Sequence, residues 1–551
     1  MAIFSEILGD RPFYLDEEKI EMVSECFASL DLKEKIGQLF CINTHSGFKR
    51  DLRDILEYDP GGVFLGINFK RMQRRASTFL QKRSKIPLLL AGDLEMGGLG
   101  GAINGTMFGT QMLVGATNNA RYAYKFGQVV GREGSALGYN WTFSPVVDIS
   151  YNHLNPIVNV RSFADDPDVV LKMALAHVKA VQENGMAATA KHWPGDGMDS
   201  RNQHYVTTHN GLPMDEWRIS YGKVYKELID AGIKTVMSAH IDLPAYYREL
   251  DPGVDDSGIL PGSLSFELNE NLLRNELGFN GLIVSDATGM VGLISHGNRD
   301  ELVPQVIAAG NDMFLFAHSR ESDFKRMLHG YETGIISRER LNTAVIRILA
   351  LKASLDLFEK QKNIDLIPSK KQLRLVGCKK HKSWARSCAK QAITLVKDTQ
   401  DLIPLNPEIQ KKVLLIRGGN FGILTRKFRG YMKSAGFNVS QFSKRKLRSL
   451  DDYDVVIYLI TIPPWYDKTT LRIDWREFGG MRWLPEKKPT VFISMASPYH
   501  LFDIPRAKTY INAYAPLPIV QEELVKCLVG TQPFLGRSPV DPYCGLFDAK
   551  L

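Results

Sequence analysis

Eight short apolar runs punctuate the first two thirds of the 551-residue chain, and they constrain its fold more than any other feature. They fall at residues 36–42, 62–65, 87–92, 141–148, 187–192, 234–240, 282–286 and 312–316. Between most of them lie stretches with a charged face at helical spacing, among them residues 166–182, 215–229 and 266–277. Buried runs alternating with amphipathic helices are the pattern of βα units, whose parallel strands are covered by their crossover helices. Eight such units predict a (β/α)8 barrel, with an open doubly wound sheet as the alternative topology.

The ends of those runs favour the barrel. Asp93 and Glu95 follow the third, Asp148 ends the fourth, Lys191 and His192 the fifth, His240 the sixth and Asp286 the seventh. In a barrel all strand C-termini open on one face, so these distant residues meet in a single pocket. Any one of them alone reads equally well as a helix cap or an ion-pair partner. Five successive strand ends carrying acids, bases or cations read as a site.

A boundary follows the helix expected at 340–357, where a polar stretch begins. The expected organisation is a catalytic barrel at 1–360, a linker at 361–382 and a smaller α/β sandwich domain at 383–551. That second domain opens with a helix at 384–392 and carries apolar runs at 393–396, 413–416, 455–460 and 490–495.

The net charge of +8 is small for this length, and the basic runs at 379–382 and 444–446 read as solvated faces, so no nucleic-acid partner is expected. The six cysteines form no CxxC pair and no metal-like spacing with histidine, which predicts a reducing compartment and no metal. The first ten residues lack a basic n-region, and no apolar run approaches the roughly 20 residues of a membrane helix. The expectation is a cytoplasmic protein with no membrane partner and no cofactor; the oligomeric state is left open.

Several segments, in order along the chain, carry a more specific signal. They include Asp31-Leu-Lys-Glu-Lys-Ile-Gly-Gln38, Gly92-Asp-Leu-Glu-Met-Gly-Gly98, Phe143-Ser-Pro-Val-Val-Asp148, Asn155-Pro-Ile-Val-Asn-Val-Arg-Ser-Phe163, Lys191-His-Trp-Pro-Gly-Asp-Gly197, Val236-Met-Ser-Ala-His240, Ser285-Asp286 and Ala309-Gly-Asn-Asp-Met313. Ala392-Ile-Thr-Leu-Val-Lys397 and Pro533-Phe-Leu-Gly-Arg-Ser-Pro539 extend the match into the second domain. The chain resembles glycoside hydrolase family 3, most closely its β-N-acetylglucosaminidase-like branch in two-domain form.

The resemblance implies a retaining, exo-acting β-glycoside hydrolase acting on a small saccharide or glycoside. Asp286 would be the nucleophile, forming a glycosyl-enzyme ester; taken alone, an Asp after Ser285 reads as a helix N-cap. Asp93, Arg161, Lys191, His192 and His240 would grip the terminal sugar, and His240 also reads as a packed structural histidine. The acid/base loop departs from the branch's pattern. His204 falls on the branch's proton-donating histidine, but the supporting aspartate is replaced by Asn202, leaving Asp199 or Asp196 as other possible supports. N-acetylglucosamine is the leading sugar. The alternatives are β-glucosidase or β-xylosidase activity, phosphorolysis within the same family, or a catalytically degenerate sugar-binding protein.

Overall fold

Asp31 decides where the first strand begins. Its side chain accepts the Glu34 N–H while the Glu34 carboxylate accepts the Asp31 N–H, each at 2.9 Å, a reciprocal cap that starts a helix over Leu32–Gln38. The run expected to be a strand at 36–42 is therefore helical in its first half, and strand β1 spans Phe40–Thr44.

The computed structural model describes residues 7–419, 421–442, 449–478 and 484–551. The basic run at 444–446 lies outside them, as do residues 1–6 of the N-terminal segment. After β1 come β2 (Gly62–Leu65), β3 (Leu89–Gly92), β4 (Trp141–Thr142), β5 (Ala187–Trp193), β6 (Thr235–Ser238), β7 (Leu282–Ser285) and β8 (Phe314–Leu315). They form one parallel sheet in the order β8-β1-β2-β3-β4-β5-β6-β7. A bridge between Val284 and Met313 brings β7 beside the entry to β8, so the ring is nearly closed. This is the expected (β/α)8 barrel.

Strand β4 is shorter than the apolar run at 141–148, because Pro145 has no N–H to donate to a ladder. Beyond it, single contacts keep the segment on the barrel: the Val147 N–H donates to the Lys191 carbonyl at 2.7 Å. The interior is sealed by Trp141, fully buried, whose indole N–H reaches the hydroxyls of Thr189 and Thr235, each at 3.0 Å. Asp312 anchors β7 from behind. Its fully buried carboxylate accepts the Ile283 N–H at 2.9 Å and pairs with Arg274 at 2.7 Å and with Arg340. Burial alone would raise this carboxyl; Arg274, Arg340 and Arg347 outweigh that and hold it below the ordinary carboxylate range.

Two compact units are distinguished. The barrel unit comprises Met1–Thr106, Tyr124–Asp148 and Ala174–Lys379; the second comprises Met107–Ala123, Ile149–Met173 and Lys380–Leu551. The second unit is built on a six-stranded sheet: β9 (Thr394–Asp398), β10 (Lys412–Gly418), β11 (Asn438–Gln441), β12 (Val455–Ile460), β13 (Thr490–Ser494) and β14 (Thr509–Asn512). Its order is β9-β14-β13-β12-β10-β11, parallel throughout except for the β9–β14 pair. Tyr458 and Phe492 stack at 4.7 Å on one face of this sheet. Within the same unit, the Asn159 amide donates to the Ser497 hydroxyl at 3.1 Å and the Arg537 N–H to the Ala116 carbonyl at 3.0 Å. Among the described residues no helix is long and apolar enough to cross a membrane.

Candidate active site

At the C-terminal end of β5, Lys191 and His192 are both buried, and each is fixed by acids from neighbouring strand ends. Lys191 Nζ sits 3.1 Å from Asp93 Oδ1 and 2.6 Å from Glu95 Oε1. A buried ammonium is tolerable when carboxylates face it directly, and here two do. Asp93 is half exposed while Lys191 is only 4% exposed, so the pair presents its carboxylate outward. Asp148 is fully buried and serves the next residue. Its Oδ2 lies 2.6 Å from His192 Nδ1, while its Oδ1 accepts the N–H groups of His192 at 2.9 Å and Asp196 at 2.8 Å. One carboxylate thereby orients the imidazole and pins the loop that follows.

Asp286 stands immediately after β7. Its N–H donates to the Ser238 carbonyl of β6 at 2.7 Å, and its Oδ1 accepts the Ala287 N–H at 2.7 Å. Burial by itself would raise the carboxyl; the imidazole of His192 opposes it most strongly, joined by His240, the Ala287 N–H and His204. The net effect holds Asp286 below the ordinary carboxylate range. The structure thus places three of the sequence-identified histidines within electrostatic reach of the Asp286 carboxylate.

His240 reaches this point from the end of β6. Its Nε2 lies 3.1 Å from the Ala287 carbonyl, which can only accept, so Nε2 carries the proton and Nδ1 faces the Ser263 hydroxyl at 2.8 Å. Full burial pushes the ring below the ordinary histidine value, which keeps it neutral near pH 7. Both ring nitrogens are thus engaged within the protein, one of them on the residue that follows Asp286.

His204 lies on the loop after β5, and its carbonyl accepts the Val291 N–H at 3.0 Å. Asn202 Oδ1 is 3.0 Å from the His204 N–H and 2.7 Å from its Nδ1. The backbone N–H fixes which end of the amide is the oxygen, so Nδ1 must be the protonated nitrogen and Nε2 is where a proton can be taken up or released. Asp199 and Asp196 are committed elsewhere. Asp199 grips the Arg201 guanidinium at 2.6 Å and the His209 N–H at 3.0 Å, and Asp196 accepts the Gly197 N–H at 2.6 Å. The loop does hold one carboxylate-backed imidazole, His209, whose Nδ1 is 2.6 Å from Asp242 Oδ1; that bond raises the ring's pKa. Gly292, after Asp286, packs so closely on this loop that an added Cβ would lie 2.5 Å from the Gln203 carbonyl oxygen.

Arg161 belongs to the second unit, at the end of the short turn Asn159–Arg161, with Nη1 3.4 Å from the Ile157 carbonyl. Asp148 and Glu95, in the sequence only strand-end acids without assigned roles, are the supports of His192 and Lys191. Trp141, Trp193 and Phe163 are all fully buried in packing.

The arrangement is an ionised carboxylate at a strand end, an imidazole with a presentable nitrogen, and a buried cation locked to outward-facing acids. A model of the glycosyl hydrolase family 3 N-terminal domain matches residues 31–351. A β-N-acetylglucosaminidase/β-glucosidase of Cellulomonas fimi is 40% identical over 98% of this chain and 99% of its own length. The chain belongs to glycosyl hydrolase family 3. It is accordingly a glycoside hydrolase by descent. Among solved structures, a β-glucoside phosphorylase, BglX, bound to 2FGlc superposes with a TM-score of 0.95 at 38% identity, covering 98% of this chain and all of that one. A family 3 β-N-acetylglucosaminidase from Paenibacillus sp. str. FPU-7 superposes with a TM-score of 0.78 at 25% identity, over 94% of this chain and all of that one.

Proposed function

We propose that the strand-end pocket of the barrel removes a β-linked sugar from the non-reducing end of a small glycoside, with retention of configuration. The observation that carries this reading is the place of Asp286 directly after β7, its N–H on the Ser238 carbonyl and its Oδ1 on the Ala287 N–H, with His192, His240 and His204 in electrostatic reach of the carboxylate. Because Oδ1 is occupied by the Ala287 N–H, Oδ2 is the attacking atom. In the first step Oδ2 bonds to the anomeric carbon, the bond from that carbon to the leaving oxygen breaks, and the oxygen takes the proton from His204 Nε2. In the second, water gives a proton back to Nε2 and its oxygen displaces the Asp286 carboxylate from the anomeric carbon. Asp93, Lys191 and His192 hold the sugar hydroxyls through charge-assisted hydrogen bonds. His240 is assigned as a positioning residue, steadying Asp286 through the Ala287 carbonyl.

N-acetylglucosamine is the favoured sugar, with glucose second; both fit the two activities named for the Cellulomonas fimi relative. A second reading rests on Asn202. With no carboxylate behind His204, an incoming inorganic phosphate meets less negative charge, and phosphate then replaces water in the second step and yields a glycosyl phosphate. The likeness to a β-glucoside phosphorylase supports it.

Initial rates on 4-nitrophenyl β-glycosides of N-acetylglucosamine, glucose and xylose, with and without phosphate, test both readings. Asp286→Ala is expected to lose about 10³-fold or more in kcat. His204→Ala is expected to lose about 100-fold or more on a natural glycoside and far less on the activated aryl glycoside, because only the poor leaving group needs the proton. Equal losses on both substrates would remove His204 from the acid/base role, and an inactive wild type across the panel would leave a sugar-binding protein. Release of glycosyl phosphate at a rate that rises with phosphate concentration would make the second reading the correct one.

A further inference from the structure

The helix Lys70–Gln81 of the barrel unit opens against the usual electrostatics. Helix N-termini favour acids, yet this first turn contains none, and its N-cap residue Phe69 offers no side-chain hydrogen bond. In place of acids it carries Lys70 and Arg71, followed one turn on by Arg74 and Arg75. Lys70–Arg74 and Arg71–Arg75 are like-charged pairs four residues apart, an arrangement that weakens a helix.

A second basic segment is tied to this turn. Arg74 Nε donates to the Pro368 carbonyl at 2.7 Å, and Lys70 Nζ to the carbonyls of Leu373 at 3.2 Å and Val376 at 3.4 Å. That strapping brings Lys370 and Arg374 across from the helix. The two segments border an open cavity of about 470 Å³ lined by six cations, one leucine and no acid. None of the six forms an ion pair with a carboxylate among the described residues. A sequence that breaks local rules at one place, without a compensating partner inside the protein, marks a place where the partner comes from outside.

We propose that this cavity binds a small molecule carrying two or more phosphate groups. The volume suits a small ligand rather than a lone phosphate. Six converging cations and the N–H groups of a helix N-terminus match clustered negative charge, and the arginines offer paired donors to phosphate oxygens. A single-stranded nucleic acid would call instead for a longer charged track with interleaved aromatic faces, and the only apolar lining residue is Leu373. In a βα unit the helix starts at the end of the barrel where the strands finish, so the site lies on the same end of the barrel as Asp286. Its lining residues are distinct from those around that carboxylate.

The test is calorimetric titration of the full chain with inorganic triphosphate at fixed ionic strength, beside the double variant Arg71→Glu/Arg75→Glu and the milder Arg71→Gln/Arg75→Gln. Circular dichroism and thermal unfolding report whether each variant folds. The expected result is saturable one-to-one binding, weakened by about 100-fold or more in the charge-reversed variant, as two charge-assisted contacts are lost. The neutral variant should fall between. Three results would each overturn the proposal: no saturable binding, binding unchanged in folded variants, or tighter binding of a short RNA than of triphosphate. Equal competition by sulfate at matched ionic strength would overturn it too, since that marks general charge screening.

Discussion

An imidazole that gives up a proton and takes it back needs one nitrogen anchored and the other presented, and Asn202 provides the anchor for His204 without any charge. Replacing that amide by a carboxylate isolates the contribution of charge, since Asn and Asp are nearly the same shape. In Asn202→Asp the carboxylate would stabilise the imidazolium, so His204 would stay protonated to higher pH. The expected outcome is an alkaline limb of the kcat/KM profile displaced upward in pH, together with a lower ratio of phosphorolysis to hydrolysis. A pH profile that does not move would mean that Nδ1 of His204 is not held through this contact. Which neighbour would anchor His204 could not be read from the sequence, because Asn202, Asp199 and Asp196 are all close along the chain. The fold decides it by committing Asp199 to Arg201 and Asp196 to the Gly197 N–H. The supporting acids Glu95 and Asp148 escaped for a similar reason: both were visible as strand-end residues, but a pairing across strands is a property of register.

At the scale of the element, the strands that position the site are four residues or fewer in several cases, so their geometry depends on what pins them. Strand β7 is pinned by Asp312, whose buried carboxylate serves the Ile283 N–H, Arg274 and Arg340 together. Asp312→Asn leaves guanidinium groups in the interior without a counter-charge, and the expected cost is about 3–5 kcal/mol of stability, measured by urea denaturation. A loss below about 1 kcal/mol would mean that the arginines find water instead. The alternation of apolar runs and amphipathic stretches was enough to place all eight barrel strands, with errors only where local chemistry intervened. The capping box at Asp31 and Glu34 turned residues 36–38 into helix, and Pro145 cut β4 short. In the second unit, β11 and β14 went unrecognised, as four-residue strands with polar residues such as Asn438, Ser440 and Asn512 carry little apolar signal.

Across the whole molecule, two histidines outside the site, His177 and His500, are kept neutral by burial, and this gives their contribution to stability a direction in pH. His177 is pushed down to about 3 and His500 to about 4 by burial, and neither ring nitrogen of His177 has a hydrogen-bond partner among the described residues. The unfolded chain binds protons as pH falls through about 6.5, while these folded rings refuse them until far lower pH. The stability conferred by these two rings is therefore complete above about pH 6.5 and declines below it, by about 1.4 kcal/mol per pH unit for each. Urea midpoints between pH 7 and pH 5 should show this slope, and His177→Leu should flatten it by one proton. A slope identical in the variant would mean that His177 becomes protonated without unfolding.

The second compact unit is assembled from three separate stretches of chain, two of them embedded within the run that builds the barrel. A fragment cut before Lys380 would still carry residues 107–123 and 149–173, including Phe108, Met112 and Phe163, stripped of the sheet they belong with. Such a piece would leave those apolar side chains without the partners that bury them. The boundary between the two units therefore cannot be drawn as a single cut in the sequence: any cut that separates them must also deal with residues 107–123 and 149–173.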